Sequence, residues 1–193
     1  MTDQAEIYVI LTPAGVLHAF SQMDPSEQQL ALQAMLAPEQ TMTANAWRER
    51  YSEVWLDMFV EEGWVETIEK PILAPHVQLD NFLRYVSASL SGNRRVAIGS
   101  DEGFCLARMG FSQQEADTLA VAAADFYDFM QRQQQRGWGV HGQAVSFFSS
   151  VDMLMPTTSL VFLWINGAGY FLIIEDEPLI NNRAFVELVW GIK

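Results

Sequence analysis

The sequence predicts an α+β protein, in which a mixed or antiparallel sheet is layered with helices and preceded by an acidic segment made of a hairpin and helices. Three observations lead to this class. Apolar residues recur at helical spacing in several segments, runs of β-forming residues dominate from Gln143 onward, and half of the 193 residues are apolar. That apolar content is enough to bury a full core, and the length suits one large domain or two small ones.

The first part of the chain contains turn and cap residues between its apolar runs. Pro13 and Gly15 separate two apolar runs and predict the turn of a hairpin. Asp24, followed by Pro25 and Glu27, predicts a helix start, because its side-chain oxygen can accept from free backbone N–H groups. The predicted elements are a hairpin over 7–20, a short helix from there to Pro38, a helix over 43–62 and a half-buried strand over 64–69.

The second part begins after two closely spaced prolines, Pro71 and Pro75, which predict a boundary between a segment 1–75 and a domain 76–193. The capping box at Ser112 and Glu115 predicts the start of a long helix. The predicted elements are a helix over 79–91, a hairpin over 95–108, a long helix over 112–136, strands within 143–176, and a tail over 184–192 that suits a strand or a short helix equally.

Net charge restricts the classes of partner. The chain carries 24 acidic and 11 basic side chains, a formal charge of -13, and residues 1–78 alone hold 12 acids against 3 bases. A surface of this sign repels phosphate backbones and anionic headgroups, so we expect neither nucleic-acid binding nor membrane insertion. With one cysteine and no leader-like apolar segment, we expect a cytoplasmic protein.

An acidic stripe is the most specific surface feature of the first part. Glu49, Glu53, Asp57 and Glu61 recur every four residues, so a continuous helix would place them on one face. Neighbouring like charges destabilise a helix by a few tenths of a kcal/mol per pair. The stripe is therefore either a solvated face or a docking surface for a basic partner.

No residue pattern predicts catalysis, a cofactor or a metal. The string 137–142 fits G-x-G-x-x-G, but it follows a helix and precedes a strand, the reverse of a dinucleotide site. Cys105 would need a base such as His141 beside it, and otherwise is a structural thiol. The histidines, His18, His76 and His141, share no ligand spacing, and the acids 175–177 are more typical of an exposed turn than of a cation site.

The second part resembles the roadblock / dynein light-chain family over about 115 residues. The residues that carry the resemblance are the hairpin VAIGSDEGFCLA (96–107) and the alanine-rich helix EADTLAVAAA (115–124). The resemblance implies an order of helix, hairpin, long helix, three strands and final helix. It also implies a non-catalytic homodimer, with the long helix and a central strand at the interface, that scaffolds or regulates small Ras-like GTPases.

Two hypotheses for function follow. The first is a protein-interaction module, in which Ala116, Ala120 and Tyr127 of the long helix contact the same helix of a second copy. The second is a small-molecule sensor or enzyme with an aromatic-lined pocket between sheet and helices. The residues expected to line that pocket are Trp138, Phe147, Trp164 and Tyr170. A filled interior with an exposed apolar patch would favour the first hypothesis, and an enclosed polar cavity the second.

Overall fold

The computed structural model describes residues 6–76, 78–138, 143–149 and 152–193. In chain order the elements are β1 (Tyr8–Leu11), α1 (Pro13–Ala19), α2 (Glu27–Gln33), α3 (Ala44–Arg50), α4 (Glu53–Glu61), β2 (Val65–Ile68), α5 (Leu79–Leu90), β3 (Val96–Ser100), β4 (Cys105–Met109), α6 (Gln113–Gln135), β5 (Ala144–Phe148), β6 (Pro156–Ile165), β7 (Ala168–Glu175) and α7 (Arg183–Ile192). The α+β class is confirmed. Contacts divide the chain into two units, the first holding β1 to β2 and α7, the second holding Gln78–Ile180.

In the first unit, a helix replaces the second half of the predicted hairpin. Pro13–Ala19 is helical, and the strand that pairs with β1 is β2, in antiparallel register. Thr12 caps the helix, its hydroxyl accepting from Gly15 N at 3.1 Å, while Pro13 occupies the first helical position. The hairpin prediction was wrong because a Thr-Pro pair that starts a helix was interpreted as part of a turn.

Two other helix boundaries of the first unit also differ from the prediction. The cap of α2 is Ser26 and not Asp24, because Ser26 and Gln29 form a reciprocal capping box. The prediction of a continuous helix over 43–62 was wrong, since the helix is interrupted at Tyr51, whose φ of -122° and ψ of -147° are not helical. The chain therefore forms α3 and α4 as separate helices, with Ser52 at the N-cap position of the second.

The core of the first unit contains tryptophan side chains whose indole N–H groups donate hydrogen bonds to backbone carbonyl oxygens. Trp47 is fully buried and its Nε1 donates to the carbonyl oxygen of Ala31 at 3.1 Å. The tail over 184–192, for which the sequence allowed a strand or a helix, forms the helix α7. Its Trp190 Nε1 donates to the carbonyl oxygen of Ala37 at 2.7 Å. The second of these bonds joins the C-terminal helix to the N-terminal part of the sequence within one unit.

The second unit is an antiparallel five-stranded sheet in the order β4-β3-β7-β6-β5. The predicted helix 79–91, the hairpin and the capped long helix are confirmed by α5, β3–β4 and α6. Asn166 and Gly167, with φ of 53° and 80°, make the tight turn between β6 and β7. From α5 to α7 the elements follow one another along the chain in the order that the roadblock resemblance implies, with α7 belonging to the first unit.

An ion-pair network holds the N-terminus of α6. The Glu115 carboxylate accepts from Ser112 N at 2.8 Å and from Arg95 at 2.9 Å. Arg95 also pairs with Glu175 and lies over the Phe111 ring at 4.6 Å. The hydrogen bonds from Ser112, followed by that from Arg95, lower the pKa of Glu115 to about 2. The network joins the residue that precedes β3 to β7 and α6.

Glu115→Gln should make stability less dependent on acid pH. A carboxylate whose pKa is lowered on folding stabilises the folded state above its ordinary value of 4.5, and this contribution is lost as pH falls toward about 2. Urea unfolding should therefore give a higher free energy of unfolding for the wild type than for the variant at pH 7. This difference should narrow as the pH is lowered. Glu102→Gln, in the β3–β4 turn, is the control and should show no such narrowing. A difference that stays constant with pH would contradict the network.

Candidate interaction surfaces

The space between the sheet and α6 is filled with aromatic side chains. The Tyr127 ring lies 5.3 Å from both Phe162 and Phe171, whose own rings are 5.1 Å apart, centroid to centroid. Trp164, which was expected to line a pocket, is buried at 5.5 Å from Tyr127. The expected pocket is therefore occupied by the protein's own rings, and burial raises the pKa of Tyr127.

The predicted dimer contact of α6 is corrected by the burial of its alanines. Ala116 and Ala120 have no exposed surface, because they face the sheet of the same chain. A Cβ built on Gly99 of β3 would come within 3.1 Å of the Ala120 Cβ. Tyr127 belongs to the internal aromatic cluster. The two alanines therefore cannot contact a second copy, whereas Tyr127 is partly buried against the same core.

An exposed row of aromatic rings lies instead beside β5. Ring centroids follow one another from Phe147 to Phe126 at 5.5 Å, on to Phe129 at 5.8 Å and to Trp138 at 6.3 Å. Phe129, Trp138 and Phe147 are each at least 40% exposed. We call these four residues the aromatic ridge. An accessible row of large apolar side chains is typical of a contact surface.

Further exposed apolar side chains lie at the end of β5 and in the loop that follows it. Within the described residues, β5 pairs only with β6, so one edge of the strand is unpaired. Phe148 at its end is 41% exposed. In the next loop Asp152 Oδ1 accepts from Leu154 N at 2.8 Å, and Met153 and Leu154 project with 73% and 89% exposure. An open strand edge beside such side chains can pair with another chain.

The acidic stripe is divided between two helices. Glu49 lies on α3, whereas Glu53, Asp57 and Glu61 keep their four-residue spacing on α4, and all four are exposed. Asp57 and Glu61 border a groove of about 1100 Å³. Its lining consists of Glu6, Ile7, Ala44, Asn45, Arg48, Leu56, Asp57, Val60, Glu61 and Thr67. Sequence reasoning found two of these residues, but periodicity alone could not show the groove.

Cys105 lies in an environment opposite to that of an activated thiol. It packs against the core beneath α6, and burial, followed by the Asp117 charge, raises its pKa. A reactive cysteine needs the opposite shift. His141, its predicted base, and residues 139–142 of the glycine-rich string lie outside the described residues. Gly137, at φ 90°, follows the end of α6.

The other predicted candidates are engaged in structural contacts. His18 stacks on Trp64 at 3.7 Å, and its burial lowers its pKa. Of the acids 175–177, Glu175 pairs with Arg95 and Asp176 adopts a left-handed turn conformation. In the part of the chain that the structure describes, no three His, Cys, Asp or Glu side chains are placed to hold a metal ion. No helix there is long and apolar enough to span a bilayer.

Comparisons with known proteins found similarity to solved structures alone. No protein-family model matches the sequence, and no curated protein matches it. A solved Roadblock/LC7 domain from Streptomyces avermitilis is similar over 60% of this chain and 91% of its own, with 15% identity and a TM-score of 0.39. MglB from Myxococcus xanthus is similar over 59% and 86%, with 11% identity and a TM-score of 0.39.

Ala120→Leu should destabilise the fold and not act on association. The added methyl groups have no room beneath α6, and overpacking of this kind costs about 1–3 kcal/mol. Thermal unfolding should show a clear fall in Tm, whereas Ala122→Leu, on the exposed face of the same helix, should leave Tm almost unchanged. A folded Ala120→Leu protein of wild-type Tm that had lost self-association would restore the original interface assignment.

Proposed function

We propose that this chain is a non-catalytic protein-interaction module that forms a homodimer and scaffolds or regulates a small GTPase. The observation that carries the interaction role is the aromatic ridge beside the open edge of β5, on a unit whose interior is filled. The sequence predicted that a filled core with an exposed apolar patch would favour a binding module over a sensor or enzyme.

The homodimer part of the proposal rests on the shape and chemistry of this edge. Two β5 strands can pair edge to edge across a two-fold axis, because an antiparallel pair is self-complementary. Such pairing would bring the exposed Phe147 and Phe148 of both copies together and remove them from water. An unpaired strand edge with exposed aromatic residues is otherwise a site of aggregation.

The small-GTPase part of the proposal rests on the sequence resemblance over 96–107 and 115–124. The family's role implies a binding surface and not a reaction centre, and among the described residues the rings of Tyr127, Phe162 and Phe171 pack together beneath α6. The exposed face of α6, where Val121 is 52% exposed, is a further surface that such a partner could cover.

Phe148→Glu should dissociate the homodimer. A charge placed at the strand edge would have to be buried when two strands pair. We expect this cost to raise the dissociation constant of the dimer at least about tenfold. Light scattering across a concentration series would measure the shift, with circular dichroism confirming the fold. Phe104→Glu is the matched control, because Phe104 is 63% exposed and precedes β4 at the opposite edge of the sheet. A wild-type monomer at high micromolar concentration would refute the homodimer.

Binding to a small GTPase should depend on the bound nucleotide. Small Ras-like GTPases from the same genome, loaded with GDP or with a non-hydrolysable GTP analogue, would be titrated calorimetrically into the wild-type protein. We expect one of them to bind, with different affinities for the two nucleotide states, because a regulator must discriminate between conformations. Absence of binding across the full set would contradict this part of the proposal.

A further inference from the structure

The groove of the first unit combines an apolar floor with a carboxylate rim. Leu56 is buried at its base, while Ile7 and Val60 remain 50% and 43% exposed on its walls. Glu6, Asp57 and Glu61 border the same space. Exposed apolar side chains between charges of one sign leave both kinds of contact available to an occupant.

Among the described residues that line the groove, carboxylates outnumber cations. In the described part of this lining Arg48 is the one cation, and its guanidinium lies 4.0 Å from the Asp57 carboxylate. Glu6 accepts from the Tyr8 hydroxyl at 2.9 Å, which leaves its charge in place. Residues 6–76 carry 11 acids and 3 bases, so the surrounding surface adds to the negative potential.

The size and charge of the groove indicate its occupant. At about 1100 Å³ it exceeds the usual volume of a small-molecule pocket, and it can hold several consecutive side chains. Nucleic acid and anionic lipid are repelled by the rim, and a second copy of this acidic chain would bring further negative charge. A basic segment with an apolar residue complements both the rim and the floor.

We infer that this groove binds a peptide segment of a partner protein in which lysine or arginine side chains flank an apolar anchor. The inference rests on the proposed role as a binding module and adds a second surface, on the first unit, with its own partner chemistry. The apolar anchor contacts Ile7 and Val60, and the flanking cations pair with Asp57 and Glu61.

The division of the acidic stripe supplies a matched pair of variants. Asp57→Asn with Glu61→Gln removes two charges from the rim, whereas Glu49→Gln with Glu53→Gln removes two charges that do not line the groove. Val60→Ser removes an apolar side chain from the wall of the groove. Val54→Ser is its control, because Val54 is an exposed valine on the same helix that does not line the groove. Thermal unfolding would confirm that all four proteins fold.

The probe is a short fluorescein-labelled synthetic peptide with leucines flanked by lysines, titrated by fluorescence anisotropy at low and high salt. We expect binding that weakens with salt, falls at least about fivefold in the rim variant and less than about twofold in its charge-matched control. Val60→Ser should weaken binding more than Val54→Ser. Peptides with glutamate for lysine, or with serine for leucine, should bind more weakly than the probe.

Three results would overturn the inference. The first is absence of probe binding. The second is an equal loss of affinity in both double variants, which would indicate general charge attraction. The third is undiminished binding of the peptide in which serine replaces leucine. The same proteins would be examined by light scattering, so that the two proposals fail separately. A dimer that does not bind the probe refutes the groove, and a monomer that binds it refutes the homodimer.

Discussion

The close approach of α6 to the sheet is the constraint on which the second unit depends. A Cβ on Gly99 would meet the Ala120 side chain at 3.1 Å, and one on Gly103 would meet the Val121 backbone at 3.3 Å. Gly103 also has a φ of 84°, a conformation that side-chain-bearing residues rarely adopt. With small residues on both sides, helix and strand backbones come close enough for the large rings farther along α6 to fill the remaining space.

The same packing explains why the apolar surface lies at β5. The strands that α6 contacts most are β3, β7 and β4, so the opposite edge of the sheet receives the least cover. Toward that edge the alanines of α6 give way to Phe126, Tyr127 and Phe129. Tyr127 completes the core, whereas Phe129 remains exposed and contacts Trp138. The filled interior and the exposed ridge are thus two consequences of one arrangement.

Local signals in the sequence determined much of the fold, and tertiary contacts determined the rest. The capping box at Ser112 acts through neighbouring backbone groups, so the start of α6 could be located correctly from the sequence. Pro13 was ambiguous, because proline suits both a turn and the first position of a helix. The break at Tyr51 has no glycine or proline to mark it.

Burial was the least predictable property of the candidate site. Alanines at helical spacing suit a helix–helix contact and a helix–sheet contact equally, and the glycine opposite Ala120 is more than twenty positions away in sequence. The acidic stripe was visible as a charge pattern, but the groove requires β1, β2, α3 and α4 to meet.

The two proposed surfaces differ in the force that drives binding, which allows them to act independently. Burial of the aromatic ridge is an apolar contribution that salt does not screen. Attraction between the groove and a basic segment decays over about 8 Å at physiological ionic strength and weakens as salt rises. A chain that carries both can remain associated through β5 while exchanging a charged partner. Because an apolar dimer contact does not depend on the carboxylates of the first unit, the groove can lose its occupant without loss of the dimer.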